Sequence, residues 1–204
     1  AAEFEAAVYY GRGHGINADG TPTDGAREWV MADVMHSQPI ILDYGALGSA
    51  TLDDPDLRLL VSTNGGFLHM FDDTDGSEDW AFFPKELAPI LNRRRLNPVS
   101  NDNVYGLDLT PAAYRHDENG DRTIDASDGD KLWVYQGMRR GGRNLYALDL
   151  SNPDSPSLMW MKTPDDVGMS ELGQTWSAPL LTRIPSYRND EGEALPVIIV
   201  GAGY

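Results

Sequence analysis

One segment of the chain carries side-chain oxygens at alternate positions. The carboxylate and amide oxygens belong to Asp117, Asn119, Asp121 and Asp125, and the backbone carbonyl of Thr123 falls in the same spacing. Calcium takes about six to eight oxygen ligands in a flexible geometry, and alternate positions on a tight loop can supply five of them. The spacing therefore predicts a Ca²⁺ site formed by these five residues.

Two positions in this segment differ from an EF-hand loop. Arg122 occupies the sixth position, where a glycine is usual, and Asp128 occupies the twelfth position in place of glutamate. Neither flank reads as a helix, because a proline step precedes the loop and residues 131–135 read as a strand. The pattern predicts a calcium loop on a β-scaffold, with an ordinary solvated acidic turn as the alternative.

Composition limits the classes of partner and of covalent chemistry. The 204 residues carry a net charge of −16, so no basic stripe is present to neutralise the phosphates of a nucleic acid. The absence of cysteine excludes disulfides and thiolate metal sites. No run of apolar residues is long enough to predict a transmembrane segment. The first residues contain neither an initiator methionine nor a signal-peptide pattern, which suggests an internal cut in a longer chain.

A proline-containing step recurs along the chain and is followed each time by a β-rich run. Its prolines are Pro39, Pro111 and Pro179, which lie 72 and 68 residues apart. Twice the run continues into further strands that are separated by short turns, and four such antiparallel strands form one propeller blade. We predict an all-β fold, a partial β-propeller of four-stranded antiparallel blades with a quinoprotein-like repeat, as a fragment of a larger ring. A β-sandwich is the alternative.

The repeat divides the chain into five parts. Residues 86–96 have apolar side chains at helical spacing, and Pro89 keeps any helix there short or kinked. The parts are a lead-in segment (1–36) that could complete a neighbouring blade, a blade (37–84), a connecting segment with a short helix (85–109), a blade with the inserted calcium loop 117–128 (110–163), and the first half of a third blade (177–204).

Five segments in this order resemble the C-terminal propeller of the PilY/PilC family of type IV pilus biogenesis factors and tip adhesins. The segments are 33–39 (DVMHSQP), 63–72 (TNGGFLHMFD), 80–84 (WAFFP), 141–149 (GGRNLYALD) and 173–179 (GQTWSAP). They extend over most of residues 29–204. The strand motifs alone are shared with quinoprotein propellers, whereas the segment 33–39 together with the calcium loop is more specific.

The resemblance implies a non-enzymatic protein that is exported to the cell surface and associated with the pilus tip and the outer membrane. Its implied partners are pilins or minor pilins, the pilus machinery, and a host or abiotic surface. The implied role is to support pilus extension against retraction, and with it twitching motility and surface adhesion. By residue match, the family's calcium ligands fall on the same five residues as the spacing argument. The family's variable N-terminal adhesive region is not among these residues.

Two enzymatic functions are alternatives to this non-enzymatic role. A quinoprotein dehydrogenase of the PQQ type would use the same kind of propeller, but it would need an axial pocket and a catalytic acid, and no acid is singled out by the sequence. A Ser-His hydrolase would rely on His36 and Ser37, but neighbouring residues on a strand point to opposite faces and there is no Gly-x-Ser-x-Gly elbow. His36 and His69 are better read as buried polar links, and His116 as a neighbour of the metal loop.

Overall fold

The computed structural model describes residues 2–99, 102–190, 192 and 194–204. Within these ranges the chain is mainly β-structure, with two α-helices and twelve strands. None of the described helices has the length and apolar character that crossing a membrane requires. In chain order the elements are α1 (Ala2–Gly11), β1 (His14–Ile16), β2 (Pro22–Ala26), β3 (Ile40–Asp43), β4 (Leu57–Ser62), β5 (Leu68–Asp72), β6 (Glu78–Phe82), α2 (Ala88–Leu96), β7 (Ala112–His116), β8 (Lys131–Gly137), β9 (Leu145–Asp149), β10 (Ser157–Lys162), β11 (Leu180–Arg188) and β12 (Ala194–Ile199).

Eight of these strands form two antiparallel sheets of four, in the orders β3-β4-β5-β6 and β7-β8-β9-β10. Each sheet is a meander, because every strand pairs with the next one along the chain. Short turns make this possible. In the β5–β6 turn, for example, Gly76 adopts φ 74°, a left-handed conformation that costs glycine little.

The remaining strands form two hairpins, β1-β2 and β11-β12. The β11-β12 hairpin follows the third proline step and leaves large apolar side chains such as Leu180 and Ile199 exposed. All four sheets are antiparallel, as the sequence analysis predicts. The sheets of the described residues do not close into a ring.

One hydrophobic core lies between the two four-stranded sheets. Polar bonds also join the sheets: the Tyr44 hydroxyl donates to the Leu150 carbonyl at 2.7 Å, and Trp80 Nε1 donates to the Pro153 carbonyl at 2.9 Å. Burying each large apolar side chain stabilises the fold by about 1.5–3 kcal/mol, so this shared core holds the sheets together. The core consists of Leu42, Tyr44, Leu60, Leu68, Met70, Leu87, Leu107, Ile124, Leu132, Val134, Met138, Tyr146, Leu148 and Leu150.

The lead-in segment contains a helix that the sequence analysis does not predict. The sequence analysis assigns no helix there, but residues Ala2–Gly11 form α1, which packs against α2. Alanine and glutamate favour helix in this stretch, and Ala6 and Ala7 are buried at the helix contact. Helix α2 lies within the connecting segment where a short helix is expected, and Pro89 sits in its first turn, where proline is tolerated.

Candidate metal centre

The predicted calcium loop connects β7 to β8. These strands pair from Ala112 opposite Tyr135 to His116 opposite Lys131. The last residue of β7 and the first residue of β8 are therefore cross-strand partners, and the sheet fixes the separation of the two ends of the loop. Because the sheet already holds the two ends of the loop side by side, the loop backbone can fold tightly.

Asp130 closes the loop, a role that the sequence analysis does not assign to it. Asp130 is buried, with a fractional exposure of 1%. One carboxylate oxygen accepts a hydrogen bond from the Glu118 amide at 2.7 Å, and the other accepts one from the Asp125 amide at 2.9 Å. A buried carboxylate requires such donors, and here they join both ends of the ligand segment.

The predicted ligand side chains accept hydrogen bonds from the backbone of their own loop. Asp117 accepts from the amides of Gly120 and Arg122, at 2.6 and 2.7 Å. Asn119 Oδ1 accepts from the Asp121 amide, and Asp121 Oδ1 accepts from the amide two residues further on. An ionised carboxylate has about four lone-pair sites, so these bonds leave acceptor capacity unused.

Arg122 keeps the backbone conformation that a glycine usually supplies at this position. Its φ is 74°, and Gly120 two residues earlier has φ 77°. A non-glycine residue in the left-handed region costs roughly 1–2 kcal/mol. The departure from the EF-hand pattern therefore changes the side chain at the sixth position and preserves the sharp bend.

Asp128, at the twelfth position, lies beside the ligand segment. The Asn119 amide nitrogen is 3.2 Å from Asp121 Oδ2 and 3.2 Å from Asp128 Oδ2. A single amide group thus bridges two carboxylates, and its partial positive charge offsets part of their repulsion. The Asn119 amide group thereby connects Asp128 to the ligand segment.

The oxygen donors of the predicted ligands suit a hard cation chemically, although the structure does not arrange them around a common centre. Every predicted ligand atom is an oxygen, which is the donor type that Ca²⁺ prefers. The Thr123 carbonyl accepts no hydrogen bond from the residues that the structure describes. Among those residues, however, no three His, Cys, Asp or Glu side chains are grouped so that they could hold a metal ion as they stand. A cation would have to draw the carboxylates away from the loop amides.

The loop amides and a nearby guanidinium stabilise the ionised carboxylates. Desolvation raises the pKa of Asp117, but hydrogen bonds from the amides of Arg122 and Gly120 and the charge of Arg115 outweigh it and hold the pKa below its usual value. The hydroxyl and amide of Ser127 lower the pKa of Asp125. Both side chains are therefore anionic at neutral pH, the form that binds a cation.

The loop also contacts the first sheet, at the turn that follows β3. Arg115 donates to the carbonyls of Asp43 and Arg122, at 3.1 and 2.6 Å. The Ile124 amide donates to the Tyr44 carbonyl at 2.9 Å, and the Ile124 side chain is fully buried in the shared core. The sequence analysis treats the loop as an insertion at the edge of one blade, whereas the structure makes it a contact between two sheets.

Three of the four histidines form polar links to acidic side chains. His36 Nδ1 lies 2.9 Å from both carboxylate oxygens of the buried Asp108, and His69 Nδ1 lies 2.5 Å from Glu78. His116 Nε2 is 2.9 Å from Glu118. Asp108 is a buried acid that sequence reasoning missed, although its position three residues before Pro111 of the repeated proline step could have marked it.

No Ser-His pair forms at the step 36–37. Ser37 Oγ accepts a hydrogen bond from Ser62 Oγ at 2.7 Å. Its hydroxyl therefore has no imidazole base among its hydrogen-bond partners in the described residues.

Comparisons with known proteins give sequence relatives of one kind. No protein-family model matches the chain. The type IV pilus biogenesis factor PilY1 of Pseudomonas aeruginosa strain UCBPP-PA14 is 27% identical over 180 residues, covering 78% of this chain and 14% of the relative. A PilY1 homolog of Xylella fastidiosa is 27% identical over 180 residues, covering 77% and 13%. PilY1 of P. aeruginosa strain PAO1 is 26% identical over 133 residues, covering 62% and 10%.

A solved structure shares the fold. The crystal structure of the P. aeruginosa PilY1 C-terminal domain matches with a TM-score of 0.50 and 24% sequence identity, over 73% of this chain and 25% of that one. The chain thus spans 10–14% of the length of the curated relatives it matches, and a quarter of that crystallised chain. The sequence relatives and the shared fold confirm the resemblance drawn from the motifs: the chain is similar in sequence to part of the type IV pilus biogenesis factor PilY1 and in fold to the PilY1 C-terminal domain.

Proposed function

We propose that this chain is a calcium-binding, non-enzymatic part of a type IV pilus biogenesis factor. The printed names of its relatives support the pilus role, since each is a type IV pilus biogenesis factor PilY1 or its homolog. The chain covers a small share of those proteins, so the proposal concerns the contribution of this region. In that context the protein is exported, associates with the pilus tip and outer membrane, and contacts pilins or minor pilins and the pilus machinery.

The observation that carries the calcium proposal is the loop held between β7 and β8. Its ligand segment has oxygen donors at alternate positions, Asp130 joins its ends, and Ile124 anchors it in the core. The ligands would be Asp117, Asn119, Asp121, Asp125 and the Thr123 carbonyl. Calcium bound there would supply positive charge that offsets the repulsion among the three aspartates.

The contacts of the loop give this site a route to the rest of the fold. Arg115, Thr123 and Ile124 join the loop to the residues that follow β3 in the first sheet. A cation that fixes the loop backbone would therefore also fix the relative position of the two sheets. We propose that this stiffening is how calcium would favour pilus extension over retraction, and so affect twitching motility and adhesion to host or abiotic surfaces.

In the intact protein the two meanders would be adjacent blades of a closed β-propeller. Each has the four-stranded antiparallel order of a blade, and their facing sides share one core. The β11-β12 hairpin would begin the next blade, since it follows the same proline step and lacks the outer two strands. Its exposed apolar side chains, such as Leu180 and Ile199, would pack against the face of a neighbouring blade.

Isothermal titration calorimetry of the intact protein with CaCl₂ tests the metal site. We expect wild-type binding in the range of about 10⁻⁴–10⁻³ M that extracellular modules show. Asp121→Ala should abolish it, because this residue supplies a ligand oxygen. Asp24→Ala is the matched control, an exposed aspartate of β2 outside the loop, and it should bind as the wild type does. Unchanged binding by Asp121→Ala would remove the loop from consideration.

A quinoprotein dehydrogenase remains the competing assignment, and an activity assay separates the two. That enzyme would need a catalytic acid at the ring centre, and Asp108 is a buried acid in the described chain. Asp108 is engaged by His36 and by Arg139, which lies 3.5 Å from its Oδ2. We expect no reduction of a redox dye when pyrroloquinoline quinone and an alcohol are supplied, and measurable turnover would refute the non-enzymatic proposal.

A further inference from the structure

An apolar groove of about 400 Å³ lies between α1 and α2, away from the calcium loop. Leu91 of α2 lines one side of the groove, and Phe83, which precedes α2 in the chain, also lines it. No residue of the loop 117–128 lines the groove, so a ligand bound in the groove would be independent of the metal site. The wall on α1 is one helical stripe at positions i, i+3, i+4 and i+7, made of Phe4, Ala7, Val8 and Gly11.

The shape of the groove follows from the residue sizes along this stripe. At Gly11 the helices approach so closely that an added Cβ would lie 3.1 Å from Leu91 Cδ1. At the other end of the stripe Phe4 is 67% exposed, although the same stripe buries Ala7. The groove is narrow at Gly11 and open at Phe4, where an aromatic ring is left in water. Apolar surface of this kind in a concave site indicates binding of an apolar group.

The charged side chains that line the groove indicate which class of ligand could bind there. The charged side chains that line the groove, Arg12 and Lys85, are both cationic in a chain of net charge −16. Within the described residues neither side chain makes an ion pair or a hydrogen bond to a carboxylate. By contrast, Arg58 contacts three aspartates at 2.6–3.0 Å. Two unpaired cations beside apolar walls suit a ligand that combines apolar and acidic groups.

We propose that the α1–α2 groove docks an amphipathic helix of a partner protein, with a large apolar side chain beside Phe4 and acidic side chains facing Arg12 and Lys85. Two helical walls accept a third helix because side-chain ridges fit into the groove between them. Helices bound in this way anchor through apolar residues three, four and seven positions apart. The acidic residues set the orientation and distinguish this partner from a purely apolar segment.

The test uses the intact protein that carries these residues and a fluorescein-labelled helical peptide. The peptide has leucines at i, i+3, i+4 and i+7 and glutamates on both flanks, and a second peptide has glutamines in place of the glutamates. Fluorescence anisotropy should show binding of the glutamate peptide that weakens with salt. Phe4→Ala and the double variant Arg12→Glu/Lys85→Glu should each weaken it by at least about tenfold.

Two matched variants serve as controls, and both should bind as the wild type does. Leu158→Ala removes another exposed apolar side chain, and Arg143→Glu reverses another exposed cation. Far-UV circular dichroism confirms that the variants are folded. Equal affinity for the two peptides would overturn the acidic recognition. Absence of binding would overturn the proposal and indicate a groove covered by the protein's own chain. If the wild-type protein forms dimers that Phe4→Ala does not form, that result would overturn the proposal in favour of a second copy of the chain.

Discussion

Gly45→Ala should disturb the calcium loop without altering any proposed ligand. Gly45 lies in the turn after β3 and adopts φ +68°. A Cβ there would lie 2.3 Å from the Arg122 carbonyl oxygen and 2.9 Å from Thr123 Cα, whereas such contacts are essentially never below 3.0 Å. The loop must therefore retreat from the first sheet by roughly 0.7 Å for the methyl group to fit.

Gly48→Ala provides the matched control, because it shares the backbone cost and lacks the contact. Gly48 adopts φ +65°, and an added Cβ meets nothing within 4 Å. Each substitution forces a left-handed alanine, which costs roughly 1–2 kcal/mol. Only Gly45→Ala also overpacks the loop contact, which typically costs about 1–3 kcal/mol more. The difference between the two variants therefore measures the contact alone.

Urea unfolding and calcium titration of both variants give the two readouts. We expect Gly45→Ala to unfold with a free energy about 1–3 kcal/mol below that of Gly48→Ala. If the proposed calcium site is correct, the affinity should also be at least about fivefold weaker in Gly45→Ala, because the Thr123 carbonyl, a proposed ligand, is displaced. If the two variants match in both stability and affinity, the loop is not held by the first sheet and the proposed coupling is wrong.

Two further predictions concern the anchoring and the charge of the loop. Ile124→Ala should lower the free energy of unfolding by about 2–5 kcal/mol, because Ile124 is 0% exposed. The control Ile184→Ala, at a residue 40% exposed, should lower it much less. Similar losses of stability in urea unfolding would contradict the role of Ile124 as a buried anchor. Asp117 and Asp125 have lowered pKa values in the fold, so their contribution is present above the unfolded value of about 3.9 and is lost as the pH falls below it. Without calcium, wild-type stability should therefore fall more steeply below about pH 4 than that of Asp117→Asn/Asp125→Asn, and parallel pH profiles would show that these carboxylates do not contribute.

The strands were predictable because their signals are local. Short runs of apolar and aromatic residues in 57–62 and 131–137, with glycine and aspartate turns between runs, indicate strands of antiparallel meanders and need no distant information. Helix α1 was missed although alanine and glutamate favour it. Its stripe contains Ala7 and Gly11, so the helical period carries little apolar signal, and its packing against α2 decides the conformation.

The spacing of the predicted ligands could be recognised in the sequence for the same reason. The contacts that hold the loop in place could not be recognised. Asp117 to Asp125 form a local pattern, whereas Arg115 reaches the Asp43 carbonyl 72 residues away in sequence. Asp130 looks like another acid of an acidic segment until its burial is known. Such contacts depend on how the two sheets meet, which a single sequence does not encode in any short pattern.

One long-range cluster does have a signal in the sequence, and it bears on the arrangement of the sheets. His36, Asp108 and Trp176 each lie three residues before a proline of the repeat. In the structure His36 contacts Asp108, and Arg139 lies 3.5 Å from Asp108 Oδ2 and 4.9 Å from the ring centre of Trp176.

Equivalent positions of three successive units therefore belong to one connected cluster. This is expected when units are arranged radially and present the same end to a common centre, and it is not expected of sheets stacked as a sandwich, whose equivalent positions lie apart. The repeat offset thus supports the ring arrangement through contacts that are independent of the strand order. A double-mutant cycle on His36→Ala and Asp108→Ala should accordingly give a coupling energy of about 1–3 kcal/mol, because the Asp108 carboxylate is buried and His36 Nδ1 lies 2.9 Å from both of its oxygens.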